Sequence, residues 1–442
     1  MNTPIDLLIE ARWIVPVEPA NLILEDHAVA IDNGRIIAIL PQDEATTRFS
    51  PRKIKRLKQH VLIPGLVNLH AHAAMTLLRG LADDLPLMDW LQNHIWPAEA
   101  KHVSPQFVHD GTLLACAEML RGGITCFNDM YFYPKAATEA ALKSGMRASI
   151  GLITLDFPTA YAADTDDYLA KGLSVRDEFR EEPLISFCLA PHAPYTVNDR
   201  SFAKVLTLAE QIELPIHIHL HETTQEIEDS LRDFGMRPIE RLRQLGLLSP
   251  GLIGAHAVHL NPEEIKLLAE HGCSVAHCPS SNLKLASGIA PVADLLSQSV
   301  NIGLGTDGAA SNNRLDLFQE MRLAALLAKG QTGRADAITA HQALRMATLG
   351  GAQALGIDAT VGSIAPGKAA DLCAVSLDDI GLSPCYDPAS HLVYAAGREH
   401  VSDVWVAGQI RVENAQLIEN NEIELIKLAA LWQNKVCSRK LL

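Results

Sequence analysis

Long hydrophobic runs are missing from this sequence. Nowhere do about 18 apolar residues follow one another, which is the length that a membrane-crossing helix requires. The opening residues, MNTPIDLLIEARWIV, also lack the charged segment and the small-residue cleavage site of a secretory signal. Low-complexity tracts and short repeats are absent as well. We therefore expect a cytoplasmic globular protein that does not bind a membrane.

Basic charge and paired cysteines are scarce too. Lys and Arg number 37 against 52 Asp and Glu, giving a net charge of −15. Because phosphate contacts need clustered cations, this balance argues against nucleic acid as the main partner. The one basic run, PRKIKRLK at 51–58, is interpreted as a solvated connector. The eight cysteines form no C-x-x-C pair and no regular framework, which is typical of reduced thiols in the cytosol.

What the sequence does contain is a series of short apolar runs separated by helix-like stretches. With 442 residues, the chain is long enough for one large barrel and an accessory domain. Such runs alternating with helices predict βα units, and eight of them predict a (β/α)8 TIM barrel over 59–368, with an open doubly wound sheet as the alternative. The runs are HVLIPGLVNLH, ITCFNDM, MRASIGLI, LISFCLAPH, LPIHIHLHE, GLIGAHAVH, GCSVAHCP and VNIGLGTDG.

The two flanks read differently. HAVAIDNGRIIAI (27–39) is a strand, an Asp-Asn-Gly turn and a second strand, and VSDVWVAGQIRV (401–412) has the same form around Gly408. Helical periodicity returns only near 421–434. We therefore predict that 1–58 and 369–442 join into one small β-sandwich domain interrupted by the barrel.

Polar side chains gather where the predicted barrel strands end. The carboxyl ends of barrel strands meet at one rim, where barrel enzymes place their active sites. A single histidine on an apolar strand is more often a packed core residue than a ligand, but that interpretation does not explain the whole set. The set comprises His70, His72, His192, His219, Glu222, His256 and Asp307.

Three histidines and one carboxylate are a donor set for a catalytic divalent ion. Zinc is the expected metal, although iron or nickel would bind the same donors. The fourth run, LISFCLAPH, contains no lysine that could be carbamylated to bridge two ions, so one metal per site is the simpler expectation.

The segment HIHLHE places His217, His219 and His221 on one strand face, and only one of them need be a ligand. We expect His219 to bind the metal and Glu222 to stay free as an acid/base. A carboxylate of that kind is what hydrolytic deamination requires, because a ring nitrogen must be protonated while water adds to the next carbon. His217 and His221 are interpreted as packing groups or groups behind the ligands, and His277 is left without a role.

In GLGTDGAASNN, Asp307 taken alone would be a carboxylate capping the next helix. Together with the other donors, it is better explained as a weak metal ligand. It would also accept the proton of the attacking water, whose pKa a metal brings from about 15.7 towards about 7.

The sequence resembles the amidohydrolase superfamily over nearly its whole length. Within that superfamily, three stretches resemble the methylthioadenosine and S-adenosylhomocysteine deaminase branch: NLHAHAAMTLLRGLADDLPLMDWLQNHIWPAE, SSNLKLASGIAPV and GTDGAASNN. The resemblance implies metal ligands His70, His72, His219 and Asp307, with Glu222 as the proton shuttle. It further implies His256 beside the attacking hydroxide, and Glu99 and His192 as substrate contacts.

The candidate site and the resemblance together predict an enzymatic function. The leading hypothesis is a zinc-dependent enzyme that removes the 6-amino group of an adenine nucleoside thioether. Alternatives are a guanine or triazine deaminase or chlorohydrolase on the same site, and a non-catalytic scaffold barrel. The segment 154–172 has no arginine for the carboxylate of S-adenosylhomocysteine and carries Asp164, Asp166 and Asp167, which would repel it. The alternatives are that these acids face solvent and that Arg147, Arg176 or Arg180 reaches the site. We therefore expect methylthioadenosine to be the preferred substrate, with adenosine and S-adenosylhomocysteine weaker. We also expect a homo-oligomer built on dimers.

Overall fold

The computed structural model describes residues 2–419 and 421–437. Met1, Asn420 and 438–442, which the predicted β-domain limits include, lie outside the described residues. The strands β1 to β16 are Thr3–Ile14, Leu24–Asp32, Arg35–Pro41, Phe49–Pro64, Leu66–Ala71, Ile124–Tyr131, Arg147–Thr154, Ile185–Pro191, Ile216–Leu220, Leu252–His256, Ser274–His277, Asn301–Leu304, Leu372–Ser376, Val401–Val406, Gln409–Glu413 and Gln416–Leu417.

The helices α1 to α17 are Gln42–Arg48, Leu87–Trp90, Trp96–His102, Pro105–Arg121, Pro134–Lys143, Thr165–Phe179, Asp199–Ile212, Thr224–Phe234, Pro238–Gln244, Pro262–Glu270, Pro279–Lys284, Val292–Ser297, Leu317–Thr332, Ala340–Arg345, Gly351–Ala354, Pro388–Tyr394 and Glu422–Cys437. Short 3-10 turns cover Ala73–Leu78, Ile380–Leu382 and Arg398–His400. Two single π-helical turns, Leu91–Ile95 and Met346–Gly350, continue α2 and α14.

The barrel sheet holds β5 to β12 in sequence order, which confirms the (β/α)8 prediction. Its strands are buried on both faces, as the apolar runs require. The sheet nearly closes on itself, because the backbone N–H of Asp307, just after β12, donates to the carbonyl of His70 in β5 at 2.9 Å. The ends of β5 and β12 therefore meet.

The first apolar run divides between two sheets. Val61 to Pro64 complete β4, and β5 begins at Leu66. Gly65 separates the two strands, and a Cβ there would lie 2.1 Å from Oγ1 of Thr125. Only glycine therefore fits this point.

The terminal segments form a second, mixed sheet in the order β16-β15-β14-β13-β4-β1-β2-β3. Both predicted hairpins are present: β2 and β3 pair across Asn33–Gly34, and β14 and β15 pair across Ala407–Gly408. Separate hydrophobic clusters pack in this part of the chain, one around Ile9, Leu62 and Trp405 and one around Leu8 and Phe49. The predicted accessory β-structure from the two chain ends is thus confirmed as a separate sheet.

The basic run 51–58 is not a connector, as the sequence suggested, but part of β4, which runs between β1 and β13. Three of its five cations are paired with acidic side chains of β1 and β14. The pairs are Arg52 with Asp6 at 3.0 Å, Arg56 with Glu10 at 3.0 Å and Lys55 with Asp403 at 2.5 Å.

Backbone contacts divide the chain into two compact units. One unit holds the described chain up to residue 68, 119–126 and 316–419, and the other holds 69–118, 127–315 and the described residues after 420. Every residue of the site described below belongs to the second unit. The predicted domain limits, 1–58 with 369–442 and 59–368, stay a prediction.

Candidate active site and metal centre

Four of the predicted donors converge at the carboxyl ends of three barrel strands. His70 lies in β5, His72 follows it, His219 lies in β9, and Asp307 follows β12. Oδ1 of Asp307 is 3.3 Å from Nε2 of His70 and 3.2 Å from Nε2 of His72. Nε2 of His72 is in turn 3.3 Å from Nε2 of His219. The structure thus brings the predicted ligand set together.

Hydrogen bonds fix which nitrogen of two of these rings faces the cluster. Nδ1 of His72 donates to the carbonyl of Met130 at 2.6 Å, and Nδ1 of His219 donates to the carbonyl of His192 at 2.7 Å. A carbonyl only accepts, so each neutral ring keeps its proton on Nδ1 and turns the lone pair of Nε2 towards its neighbour.

This arrangement fits a divalent cation. When both rings are neutral, two lone pairs 3.3 Å apart repel each other, so a proton on one nitrogen or a cation between them is favoured. Nε2 of His70 is buried without a hydrogen-bond partner, and the donor atoms of His70, His72 and His219 lie within 4.8 Å of one another. Three imidazoles and a carboxylate match the donors that Zn²⁺ prefers in catalytic sites.

The pKa values of His72 and Asp307 also favour a positive charge in the cluster. Burial would lower the pKa of His72, but the hydrogen bond and charge of Asp307 outweigh burial and raise this pKa to about 9. Burial would likewise raise the pKa of Asp307, yet the imidazoles of His70 and His72 hold it well below its usual range. Asp307 is therefore ionised, and the space between it and the rings favours a positive charge, either a proton or a metal.

Serine hydroxyls aim the Asp307 carboxylate. Oγ of Ser281 and Oγ of Ser311 both donate to Oδ2, at 2.6 and 2.7 Å, while the backbone N–H of Gly308 donates to Oδ1 at 2.7 Å. The carboxylate cannot rotate without breaking these bonds. Both serines lie in the quoted motifs SSNLKLASGIAPV and GTDGAASNN, but their spacing from Asp307 gave no sign of their function.

Glu222 follows β9 and lies close to His256. Its Oε2 is 3.8 Å from Nε2 of His256, whose Nδ1 is hydrogen-bonded to Oδ1 of Asn282 at 2.8 Å. Burial raises the pKa of Glu222, which favours its protonated form and suits a proton donor.

The backbone that presents Glu222 is held by a second carboxylate. Glu226, in the first turn of α8, accepts the N–H of His221 at 3.0 Å and the N–H of Glu222 at 2.9 Å. Left-handed backbone marks this turn and two other strand ends, with φ of 54° at His221, 72° at His256 and 61° at Asp307. Non-glycine residues rarely adopt such angles, and they cluster at functional sites.

The predicted substrate contacts border one cavity of about 570 Å³. Glu99, from α3, accepts a hydrogen bond from the hydroxyl of Tyr131 at 2.6 Å, and burial raises its pKa to about 7. His192 follows β8, and burial lowers its pKa to about 3, so the ring is neutral. His72, His219, Glu222, His256 and Asp307 border the same cavity.

The remaining wall of the cavity is aromatic and aliphatic. Trp90, Trp96, Phe157 and Tyr161 are among its side chains, and none of the described residues that line it is Lys or Arg. The acidic residues of 154–172 do not line it either: Asp164 caps α6, Asp166 pairs with Lys204, and Asp167 pairs with Lys171.

His217, His221 and His277 are not among the residues that line the cavity. Nε2 of His217 is 2.9 Å from Nδ1 of His70, and the N–H₂ of Asn128 lies 3.1 Å from Nδ1 of His217. His221 contacts the carbonyl of His259 and accepts the N–H of Ile239. His277 is buried, and its Nδ1 has no hydrogen-bond partner.

The barrel and the histidine–carboxylate cluster at its rim define the class of metal-dependent barrel hydrolases. Residues 61–411 match the model of the amidohydrolase family. The chain therefore belongs to the amidohydrolase family.

Several relatives are similar over nearly the full length. A 5-methylthioadenosine/S-adenosylhomocysteine deaminase of Saccharophagus degradans is 47% identical, covering 99% of this chain and 98% of its own length. The crystal structure of an adenosine deaminase from Xanthomonas campestris with bound zinc superposes with a TM-score of 0.98 at 50% identity, covering 99% of both chains. An atrazine chlorohydrolase from Arthrobacter aurescens, complexed with zinc, has a TM-score of 0.89 at 25% identity, covering 97% of this chain and 100% of that one.

Among the described residues, the structure has no helix with both the length and the apolar character needed to cross a membrane.

Proposed function

We propose that this protein hydrolyses the 6-amino group of 5'-methylthioadenosine to give 5'-methylthioinosine and ammonia, and that adenosine and S-adenosylhomocysteine are weaker substrates. The observation that carries the proposal is a buried, protonatable Glu222 beside the metal-binding set, in an apolar cavity that also holds Glu99. The similarity to deaminases of adenine nucleosides supports it.

One divalent ion per subunit, zinc by preference, would be held by His70, His72, His219 and Asp307. When bound, it supplies Lewis acidity that makes water acidic near neutral pH.

Each remaining role falls to a residue of the chain. Asp307 accepts a proton from the attacking water, and His256 orients that water. Glu222 donates a proton to N1 of the purine as water adds to C6. As the tetrahedral carbon collapses to the carbonyl, the amino group takes the proton held by Asp307 and leaves as ammonia, and the proton of the C6 hydroxyl returns to Glu222.

Recognition of the nucleoside falls to the other predicted contacts. Glu99 accepts hydrogen bonds from the ribose hydroxyls, and the neutral His192 ring offers one hydrogen-bonding nitrogen to the substrate. A small thioether suits the aromatic wall, whereas the carboxylate of S-adenosylhomocysteine would be desolvated there without a cationic partner.

Kinetics on a panel of substrates tests this proposal. We expect kcat/KM for 5'-methylthioadenosine to exceed that for adenosine and for S-adenosylhomocysteine, measured as ammonia release. A tenfold preference for S-adenosylhomocysteine, about 1.4 kcal/mol of transition-state binding, would contradict the preference.

The same cluster would serve a triazine or guanine hydrolase, and the likeness to an atrazine chlorohydrolase makes the triazine the second candidate. Activity on a chlorotriazine alone would replace the nucleoside proposal. A catalytically inactive scaffold would bind below about 0.2 equivalents of metal and stay inactive when zinc is added.

We further propose that the enzyme is a cytoplasmic homo-oligomer that functions in purine nucleoside salvage. Eight free cysteines without a disulfide are consistent with a reducing compartment.

A further inference from the structure

Within the described residues, the carboxylate of Glu99 has one hydrogen-bond partner, the side chain of Tyr131. The two residues come from different elements: Glu99 lies in the seven-residue helix α3, whereas Tyr131 is the last residue of the barrel strand β6. The phenol hydroxyl donates to Oε1 of Glu99 at 2.6 Å. The bond therefore links a helical excursion to the barrel wall.

The backbone of Tyr131 is held more firmly than that of Glu99. The helix α3 contains no buried residue and has no side-chain cap at its N-terminus. By contrast, Tyr131 is 5% exposed and ends a strand that is buried throughout. A charged side chain on a short, half-exposed helix has several accessible rotamers, so its position over the cavity depends on a rigid partner.

The same strand end also holds the metal-binding set. Met130, the residue before Tyr131, accepts the Nδ1 proton of His72 through its carbonyl at 2.6 Å. The Tyr131 ring in turn lies 6.5 Å from the His72 ring, centre to centre. One two-residue segment of β6 thus sets the distance between the reacting end of the cavity and Glu99.

We infer that Tyr131 is a positioning residue that fixes Glu99 for the two sugar hydroxyls of the nucleoside, so that the cavity discriminates ribose from 2',3'-dideoxyribose. The inference rests on the proposed function. Because a carboxylate oxygen has two lone pairs, Oε2 and the second lone pair of Oε1 stay available while Tyr131 holds the group in place. A dideoxy sugar would leave Oε2 of Glu99 without a donor inside the cavity, which is costly.

The variant Tyr131→Phe removes the hydroxyl and keeps the ring. We expect KM for adenosine to rise about tenfold, kcat to change less than threefold, and KM for 2',3'-dideoxyadenosine to stay the same. A purely structural role would shift both substrates together. In a Glu99→Ala background, Tyr131→Phe should have no further effect on the ratio between the two sugars.

A matched control is Tyr133→Phe. Tyr133 borders the same cavity, but its hydroxyl donates to the carbonyl of Ala160 at 2.9 Å. This variant should leave the preference for adenosine over the dideoxy nucleoside as it is in the wild type.

Binding separates this inference from the proposed function. The zinc-loaded Glu222→Gln protein, titrated with adenosine and with 2',3'-dideoxyadenosine, reports sugar discrimination without turnover, and adding Tyr131→Phe should abolish most of it. Equal losses for both ligands, or no loss, would overturn the role of Tyr131. Failure of the wild type to deaminate any adenine nucleoside, with the sugar preference intact, would overturn the proposed function alone.

Discussion

At the scale of single residues, each proposed metal ligand is oriented by a partner on the side away from the cluster. Carbonyls of Met130 and His192 set the tautomers of His72 and His219, and serine hydroxyls set the Asp307 carboxylate. Such contacts keep the donors in place before a metal arrives. The proposed chemistry then depends on residues whose functions can be separated by mutation.

The first prediction is that metal binding and proton transfer are lost in different variants. His219→Ala should lose metal and activity together, because it removes a donor. Glu222→Gln should keep the metal and lose about 10² to 10⁴-fold in kcat, because only the proton donor is removed. Metal analysis and ammonia release on the same preparations check both; near-normal turnover of Glu222→Gln would show that the proton comes from elsewhere.

The second concerns the serines that hold Asp307. Ser281→Ala or Ser311→Ala should weaken zinc affinity about 10- to 100-fold, because one hydrogen bond to Oδ2 is lost while every ligand remains. Competition with a chelator measures the affinity. Ser297→Ala is the control, since that hydroxyl bonds to the carbonyl of Asp294 in α12. An unchanged affinity in both site variants would contradict the assigned function.

A third prediction concerns pH. Burial raises the pKa of Glu99 to about 7, and sugar hydroxyls bind its ionised form better. The KM for adenosine should therefore fall as the pH rises through about 7. The free energy of unfolding changes in the opposite sense. Because the pKa of Glu99 is raised in the folded state, this carboxyl stabilises the fold at low pH, and that contribution is lost as the pH rises through its folded pKa. In Glu99→Gln, the step in KM near pH 7 should vanish; a profile that kept it would assign the step to another group.

At the scale of elements, the close approach between β4, β5 and β6 needs a residue without a side chain. A Cβ at Gly65 would meet the Thr125 side chain at 2.1 Å. Gly65→Ala should therefore destabilise the protein by about 1–3 kcal/mol through overpacking. Gly330 in α13 has nothing within 4 Å of its Cβ position, so Gly330→Ala should stabilise by about 0.5–1 kcal/mol. Denaturant unfolding compares the two; a neutral Gly65→Ala would mean that Thr125 can move aside.

The elements also show where sequence patterns succeed. Alternation and turn residues predicted both hairpins of the mixed sheet, because an Asn-Gly or Ala-Gly turn between apolar runs is a local property. The basic run in β4 was misinterpreted, since its cations are paired with acidic residues that are remote in sequence or on other strands. A run of charged residues can therefore form a strand when acidic residues of other strands lie within ion-pair distance of it.

At the scale of the whole molecule, we predict association. Ile423 and Ile426 on α17 are 64% and 66% exposed, and burying such apolar surface between copies is favourable. Light scattering at working concentration should give about twice the 48.0 kDa chain mass or more. A stable monomer under those conditions would contradict the prediction.

Local patterns in the sequence were enough to predict the barrel, the hairpins and the residues that gather at the barrel rim. Hydrophobic periodicity is local, and strand ends of a barrel share one rim by geometry, so His70, His72, His219 and Asp307 were expected to meet, and they do. The orientation of those groups, by contrast, depends on contacts that form only in the folded chain. Tyr131 and Ser281 act through hydrogen bonds between segments far apart in sequence. Their distances from the groups they hold depend on how the strands pack, which is set by the whole core rather than by any single stretch of the chain.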